Sequence, residues 1–363
     1  VNAPFVSSLA PMNVAPVRLV DLADPGEIAR LEGFVARHPL GTPFHRPAWF
    51  VAVARATGNE ALALVQERAG EIVALLPLDA IHSPVFGRLL ASTGFAVGGG
   101  LLTTDQAEPH AVFAALEELA RRLSCPSIEL RGGVLPADGE GWALKTESHA
   151  NFARPLAADD EAQLTAIPRK QRAEVRRSLG IDLTVDVGTA EVDRAAHYAV
   201  FCESYRNLGT PVFPRALLDG VVDAFGAEAD ILTVRHEGKP VASVISLYHQ
   251  GAVMPYWGGG TWDARRLRAN DRMYYELMLH ARRRGAGVFD FGRSKTQSGA
   301  YHFKRNWGFE PEPLTYATWT RPGTAKREAD PTSAKLSLQI KLWQRLPLGL
   351  ANRLGPLIAR GIG

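Results

Sequence analysis

The signals for strand, turn and helix between residues 61 and 131 recur in the same order between residues 231 and 292. Few folds repeat an element order of that length. Residues 61–68 and 72–81 are β-rich runs joined by Ala69-Gly70-Glu71, a hairpin signal. A strand over 86–90, the glycines Gly98-Gly99-Gly100 and a helix over 107–123 follow. That helix puts Val112, Leu116, Leu119 and Leu123 on one face. The short strand 127–130 then ends in Arg131-Gly132-Gly133.

The second half replays this. Runs 231–236 and 241–248 flank Glu237-Gly238-Lys239, and 253–257 leads into Gly258-Gly259-Gly260. A helix over 271–284 and a strand over 288–291, ending at Gly292, complete the copy. Gly70 answers Gly238, the triple glycines answer each other, and 128–130 answers 289–291. An internal duplication is the economical reading.

The expected fold class is therefore α/β (α+β), two tandem domains, each a mixed sheet flanked by helices. Pro155 and Ala157-Ala158-Asp159-Asp160 interrupt the pattern, so the first domain is expected over 1–155 and the second over 156–320. Residues 314–320 look like a last strand. Residues 321–363 read as a linker, 321–333, and a basic amphipathic tail.

A chain of 363 residues suits two domains of middling size. With 46% hydrophobic and 22% charged residues it has the composition of a folded protein, and a net charge of +3 names no nucleic-acid partner. Two distant cysteines and ten scattered histidines argue against a disulfide framework, and no metal site is expected. Neither a secretory pattern nor a run long enough to span a bilayer is visible, which gives a cytoplasmic expectation.

In open α/β sheets ligands gather beyond the carboxyl ends of strands. Here the strand at 288–291 runs into Asp290-Phe291-Gly292-Arg293-Ser294-Lys295. A short helix over 299–306 follows, on which Tyr301 and Lys304 share a face, with Trp307-Gly308 closing it. Asp290, Tyr301 and Lys304 are the catalytic candidates, with Arg293, Ser294 and Lys295 placed to bind substrate. Asp290 can equally cap a helix or pair with Arg293, and Trp307 reads as core.

That run, with Gly299-x-Tyr301-x-Phe303-Lys304-x-x-Trp307-Gly308-Phe309, resembles the signature of FemAB-like proteins of the GNAT superfamily. More narrowly it is similar to the FemAB group associated with exosortase/PEP-CTERM systems. Thr42-Pro43-Phe44-His45-x-Pro47-x-Trp49 and Ile167-Pro168-Arg169-Lys170-x-Arg172 fit the same group. The resemblance spans roughly 17–320 and implies tandem GNAT-like domains whose last strand returns to the first. It implies acyl or aminoacyl transfer by direct attack on an amine or hydroxyl of a cell-envelope or exopolysaccharide precursor. In that mechanism Lys304 stabilises the oxyanion and Asp290 orients the acceptor or takes its proton, its pKa expected to be lowered by the neighbouring cations.

No permanently bound cofactor is expected. The donor, acyl-CoA or aminoacyl-tRNA, stays open, because the acyl-CoA loop Arg/Gln-x-x-Gly-x-Gly/Ala is absent between Trp257 and Met273. The helix at 168–179 carries Arg169, Lys170, Arg172, Arg176 and Arg177, either a solvated face or a clamp for a polyanionic donor or precursor. Tyr256 and Trp257 are candidates for stacking on substrate. His45 and Trp49 are candidates for lining a cleft, against structural roles in a core.

The tail over 335–363 has five basic residues, Lys335, Lys341, Arg345, Arg353 and Arg360, and no acid. It would either pack on the body or lie at the inner membrane face. Two non-catalytic readings stand beside transfer. One is a polyanion- or glycan-binding protein on a relic transferase fold, the other a membrane-surface scaffold.

Overall fold

A computed structural model describes residues 15–83, 87–324 and 340–361. Phe86, the linker residues 325–333 and the start of the tail at Lys335 lie outside them. The chain divides into two compact units. One lies within Val1–Thr146 and Thr315–Ala329, with Arg360–Gly363; the other lies within Glu147–Leu314 and Asp330–Ala359.

The first unit contains β1 (Val17–Leu19), α1 (Pro25–Arg37), α2 (Pro47–Thr57), β2 (Glu60–Arg68), β3 (Glu71–Ser83), β4 (Gly87–Ser92) and β5 (Leu102–Thr103). It continues with α3 (Pro109–Arg122), β6 (Ser127–Arg131) and the start of β7 (Trp142–Asn151). The second contains β8 (Ala153–Pro155), α4 (Asp160–Ala166), α5 (Arg169–Leu179), β9 (Leu183–Gly188), α6 (Glu191–Leu208) and α7 (Arg215–Phe225). Then come β10 (Ala229–His236), β11 (Lys239–His249), β12 (Ala252–Gly260), α8 (Ala269–Arg283), β13 (Val288–Asp290), β14 (Ser294–Lys295) and α9 (Gly299–Asn306). Strand β15 (Glu312–Thr320) and helix α10 (Leu348–Ala359) complete the chain.

The repeat is real at the level of pairing. Strands β1, β2, β3 and β4 run antiparallel in sequence order, and β6 joins β4 in parallel. Strands β9, β10, β11 and β12 do the same, and β13 joins β12 in parallel. Each copy gains one further antiparallel strand from outside the repeat. β15 closes on β6, with Trp319 opposite Ile128, and β8 closes on β13, with Arg154 opposite Phe289. The last strand thus returns to the first unit. Residues 147–155, placed above in the first domain, pair inside the second, where Ala150 also faces Ser294 of β14.

Local chemistry accounts for these elements. Both hairpins turn on two residues with positive φ, Ala69-Gly70 and Glu237-Gly238, the geometry that matches the twist of the flanking strands. Helix α3 buries Val112, Leu116 and Leu119 on a core with Leu76, Leu90, Ile128 and Trp319. Helix α8 buries Met273 and Leu277 on a second core with Val244, Phe289 and Trp307.

Both triple glycines read from the sequence as turns, and the second is not one. Gly258, Gly259 and Gly260 are strand residues, opposite Val244, Ser243 and Ala242. A Cβ at Gly259 would stand 2.2 Å from the Ser204 hydroxyl, and one at Gly260 would stand 2.7 Å from the Asn270 side chain. Glycine is needed there because α6 and the start of α8 press directly on the strand. Gly99, by contrast, has φ +95° in a loop.

Candidate active site

Strands β12 and β13 stay together for only two residues, Ala252 with Val288 and Val253 with Phe289. Beyond that β12 runs on to Gly260 along β11, whereas β13 ends at Asp290. Asp290 therefore stands where two parallel strands part. Further along β12, the register against β11 steps between Ser246 and Ile245, a bulge at Tyr256 that re-aims its neighbours.

The residues after Asp290 are held by α9. Ser298 caps that helix by accepting from the Tyr301 amide, and Phe303 and Trp307 anchor it among Tyr274, Phe291 and Phe309. Trp307 is wholly buried core. From this helix the Lys304 ammonium, 9% exposed, reaches back to donate to the carbonyl oxygens of Gly292 and Arg293 at 2.9 and 3.0 Å. Burial pulls its pKa down to about 7, against the opposing pull of Asp290. Two of its three hydrogens are thus committed to the main chain. The candidate oxyanion donor clamps the turn below Asp290.

Asp290 Oδ1 accepts from the Gly292 amide at 2.8 Å, and the Asn151 side chain bonds the same carboxyl. The carboxyl keeps a little exposure at the parting of the strands. Its pKa is raised, not lowered as expected: desolvation outweighs the two hydrogen bonds and the Lys304 charge. A raised carboxylate is a better base, so the structure suits Asp290 to take a proton as well as to orient an acceptor.

The other candidates divide. Arg293 is half-buried at the same turn, and Ser294 is buried, its hydroxyl with no hydrogen-bond partner among the described residues. Lys295 is exposed on β14, opposite His149. Tyr301 is buried edge-on to Phe152 at 5.2 Å, which gives its ring a packing role. Trp257 is buried and Tyr256 half-buried, in an aromatic group with Tyr205 and Phe213 from α6 and the loop after it.

His45 and Trp49, candidates for lining a cleft or for structural roles, are core in the first unit. His45 is 3% exposed between Thr42 and the Gly100 carbonyl, and Trp49 is wholly buried, its indole donating to the Gly94 carbonyl. Side chains so buried and bonded have no free face for a substrate.

Helix α5 exposes Arg169 and Lys170 and half-exposes Arg172, which bonds the Thr165 carbonyl. It packs on α8 through Gln171, whose amide donates to Asp271 at 2.6 Å in the first turn of that helix. Arg268, just before α8, pairs with Glu174 of α5. The basic surface thus flanks the start of α8, beside Gly260 at the end of β12.

Residues 164–305 match the family model for an acetyltransferase (GNAT) domain. A crystal structure of FemX superposes with a TM-score of 0.63 at 15% identity, covering 79% of this chain and 95% of its own. The chain has a FemAB-like GNAT fold. A tandem GNAT protein from the clavulanic acid biosynthesis pathway gives 0.53 at 12% identity, covering 85% and 100%. The C-terminal domain of a candidate lysylphosphatidylglycerol synthetase from Agrobacterium fabrum gives 0.54 at 15%, covering 82% and 92%. No curated protein sequence matches the chain.

The two GNAT-like units are not equivalent. In the first, the place where β4 and β6 part is filled by protein: the Arg131 guanidinium donates to the Thr93 and Ala96 carbonyls at 2.9 and 2.8 Å. A Cβ on Gly100 would overlap the Gly132 carbonyl oxygen, at 1.8 Å. The GNAT match falls on the second unit.

A cavity of about 270 Å³ lies at the start of β12, lined by Tyr248 and Arg284. Both already bond the buried Asp230, with His280, so that cluster is structural.

Sequence reasoning missed Phe213, Tyr205 and Gln171. Gln171 is the uncharged member of the basic run, and neither aromatic belongs to a charged or glycine-marked motif. The i to i+4 pair Phe201 and Tyr205 on α6 was the one available signal.

Proposed function

We propose that the second unit transfers an acyl or aminoacyl group from a phosphate-bearing donor, acyl-CoA or aminoacyl-tRNA. The acceptor is an amine or hydroxyl of an anionic cell-envelope or exopolysaccharide precursor, of the kind handled alongside exosortase/PEP-CTERM systems. The observation that carries this reading is Asp290, with its raised carboxyl, at the parting of β12 and β13. The neighbours named FemX and lysylphosphatidylglycerol synthetase support an envelope acceptor.

In the reaction the acceptor nitrogen or oxygen attacks the acyl carbonyl carbon as its proton passes to the Asp290 carboxylate. The new C–N or C–O bond forms, and the bond from the acyl carbon to the donor's sulfur or oxygen breaks. The donor leaves with that electron pair and takes up the proton from Asp290, which restores the carboxylate. Lys304 fixes the Gly292 and Arg293 carbonyls so that Asp290 keeps its aim. The aromatic group at Tyr256, Tyr205 and Phe213 offers faces for stacking, and the cations of α5, with Arg265, Arg266 and Arg268, meet the donor's phosphates.

The test is mass-spectrometric detection of product from panels of acyl-CoAs and charged tRNAs with envelope precursors. Turnover should rise with pH through the raised pKa of Asp290, since only the ionised carboxylate takes a proton. Asp290→Asn should lower it by roughly 100-fold or more and remove that rise. An Asn variant with the wild-type rate and pH profile rejects Asp290 as the base.

A further inference from the structure

Helix α10 is docked the wrong way round for an ordinary surface helix. Its buried positions are Ala351, Gly355 and Ala359, four apart on one face, against α6 and the loop that follows it. A Cβ on Gly355 would stand 2.8 Å from the Val212 amide nitrogen, so small residues are what let the helix sit so close. The large side chains face out: Leu350 is 44% exposed, Leu354 39%, Leu357 61% and Ile358 38%. Leu342, in the helical stretch 340–344, is 58% exposed. A helix that only completes a fold buries its leucines and exposes its polar side.

The charge carried by this segment has one sign. Lys341, Arg345 and Arg353 are exposed, and no aspartate or glutamate occurs from 334 to 363. Leucines to enter the acyl boundary and cations to meet headgroups are what an anionic bilayer surface selects. A protein partner of mixed surface would not call for the complete absence of acid. The seat of the helix is secured separately: Gln344 and Arg206 exchange side-chain bonds with the Asn207 and Gln344 carbonyls.

We infer that α10 and residues 340–344 form a docking face for an anionic phospholipid membrane. This does not depend on the transfer chemistry. It does place that chemistry, because Val212 under Gly355 adjoins Phe213, which packs against Trp257 of β12. The docking helix and the aromatic wall of the candidate site thus share one loop, and a membrane-held acceptor would be met beside the surface that carries it.

The experiment is cosedimentation of the full chain with vesicles of phosphatidylcholine alone and with about a third phosphatidylglycerol, at low and high salt, with sedimentation velocity run in parallel. The chain should bind the anionic vesicles, and less so at high salt. Leu354→Glu with Leu357→Glu, and separately Arg353→Gln, should weaken binding, the double variant by at least tenfold. The melting temperature should hold, since all three side chains already meet solvent. Failure of the wild-type chain to bind anionic vesicles overturns the inference. So does binding that these variants leave unchanged, or an effect confined to self-association, which would assign the face to a second copy.

Discussion

The Lys304 ammonium donates to the Gly292 carbonyl oxygen across 2.9 Å, closing a loop that begins at Asp290 and returns through α9. The Arg293 carbonyl takes a second hydrogen. Glycine at 292, with φ +68°, lets the chain turn so that both carbonyls face the same ammonium.

Lys304→Met keeps the packing length and deletes both bonds to the main chain. Each such loss typically costs about 1–3 kcal/mol. The variant should therefore melt measurably lower in calorimetry and lose transfer activity at the same time. An oxyanion donor would instead lose activity with an unchanged melt, which is the outcome that would restore Lys304 to the reacting centre.

Charge reversal on α5, Arg169→Glu with Lys170→Glu, should weaken binding of a polyanionic donor by about tenfold or more and flatten its salt dependence. Both side chains are exposed and Gln171 between α5 and α8 is untouched, so the melt should hold. Fluorescence-detected titration with charged tRNA and with acyl-CoA checks this. Equal affinity at low salt would return these residues to a solvated face.

Asp79 offers a test of stability alone. It is fully buried in the first unit, one oxygen accepting from the Gly94 amide at 2.6 Å and the other without a partner among the described residues. Burial pushes its pKa up to about 7. The folded state thus holds a proton that the unfolded chain releases near pH 4. The resulting stability is fully present below that value and is lost as pH rises through about 7. Asp79→Asn should remove this component, so that the wild-type melting temperature falls by roughly 5 °C more than the variant's between pH 5 and pH 8. Parallel curves for the two proteins would contradict a buried, protonated carboxyl.

The sequence by itself determined what local covalent geometry and periodicity can fix. It set the repeat, both two-residue hairpins, the amphipathic helices at α3 and α8, and the crowding of Asp290, Arg293, Tyr301 and Lys304 within one strand end and one short helix. A few bonds of chain and the side-chain period of each element decide those features before any distant contact forms. Only the tertiary structure decided which strands close each sheet, β15 on β6 and β8 on β13, because those partners are far apart in the chain. It alone showed that Gly259 yields to Ser204 rather than to a turn, and that His45 and Trp49 are core. It also set the Lys304 ammonium on two main-chain carbonyls and raised the pKa of Asp290. A charged side chain's chemistry is set by the carbonyls it meets and the water it loses, and both are properties of the packed molecule.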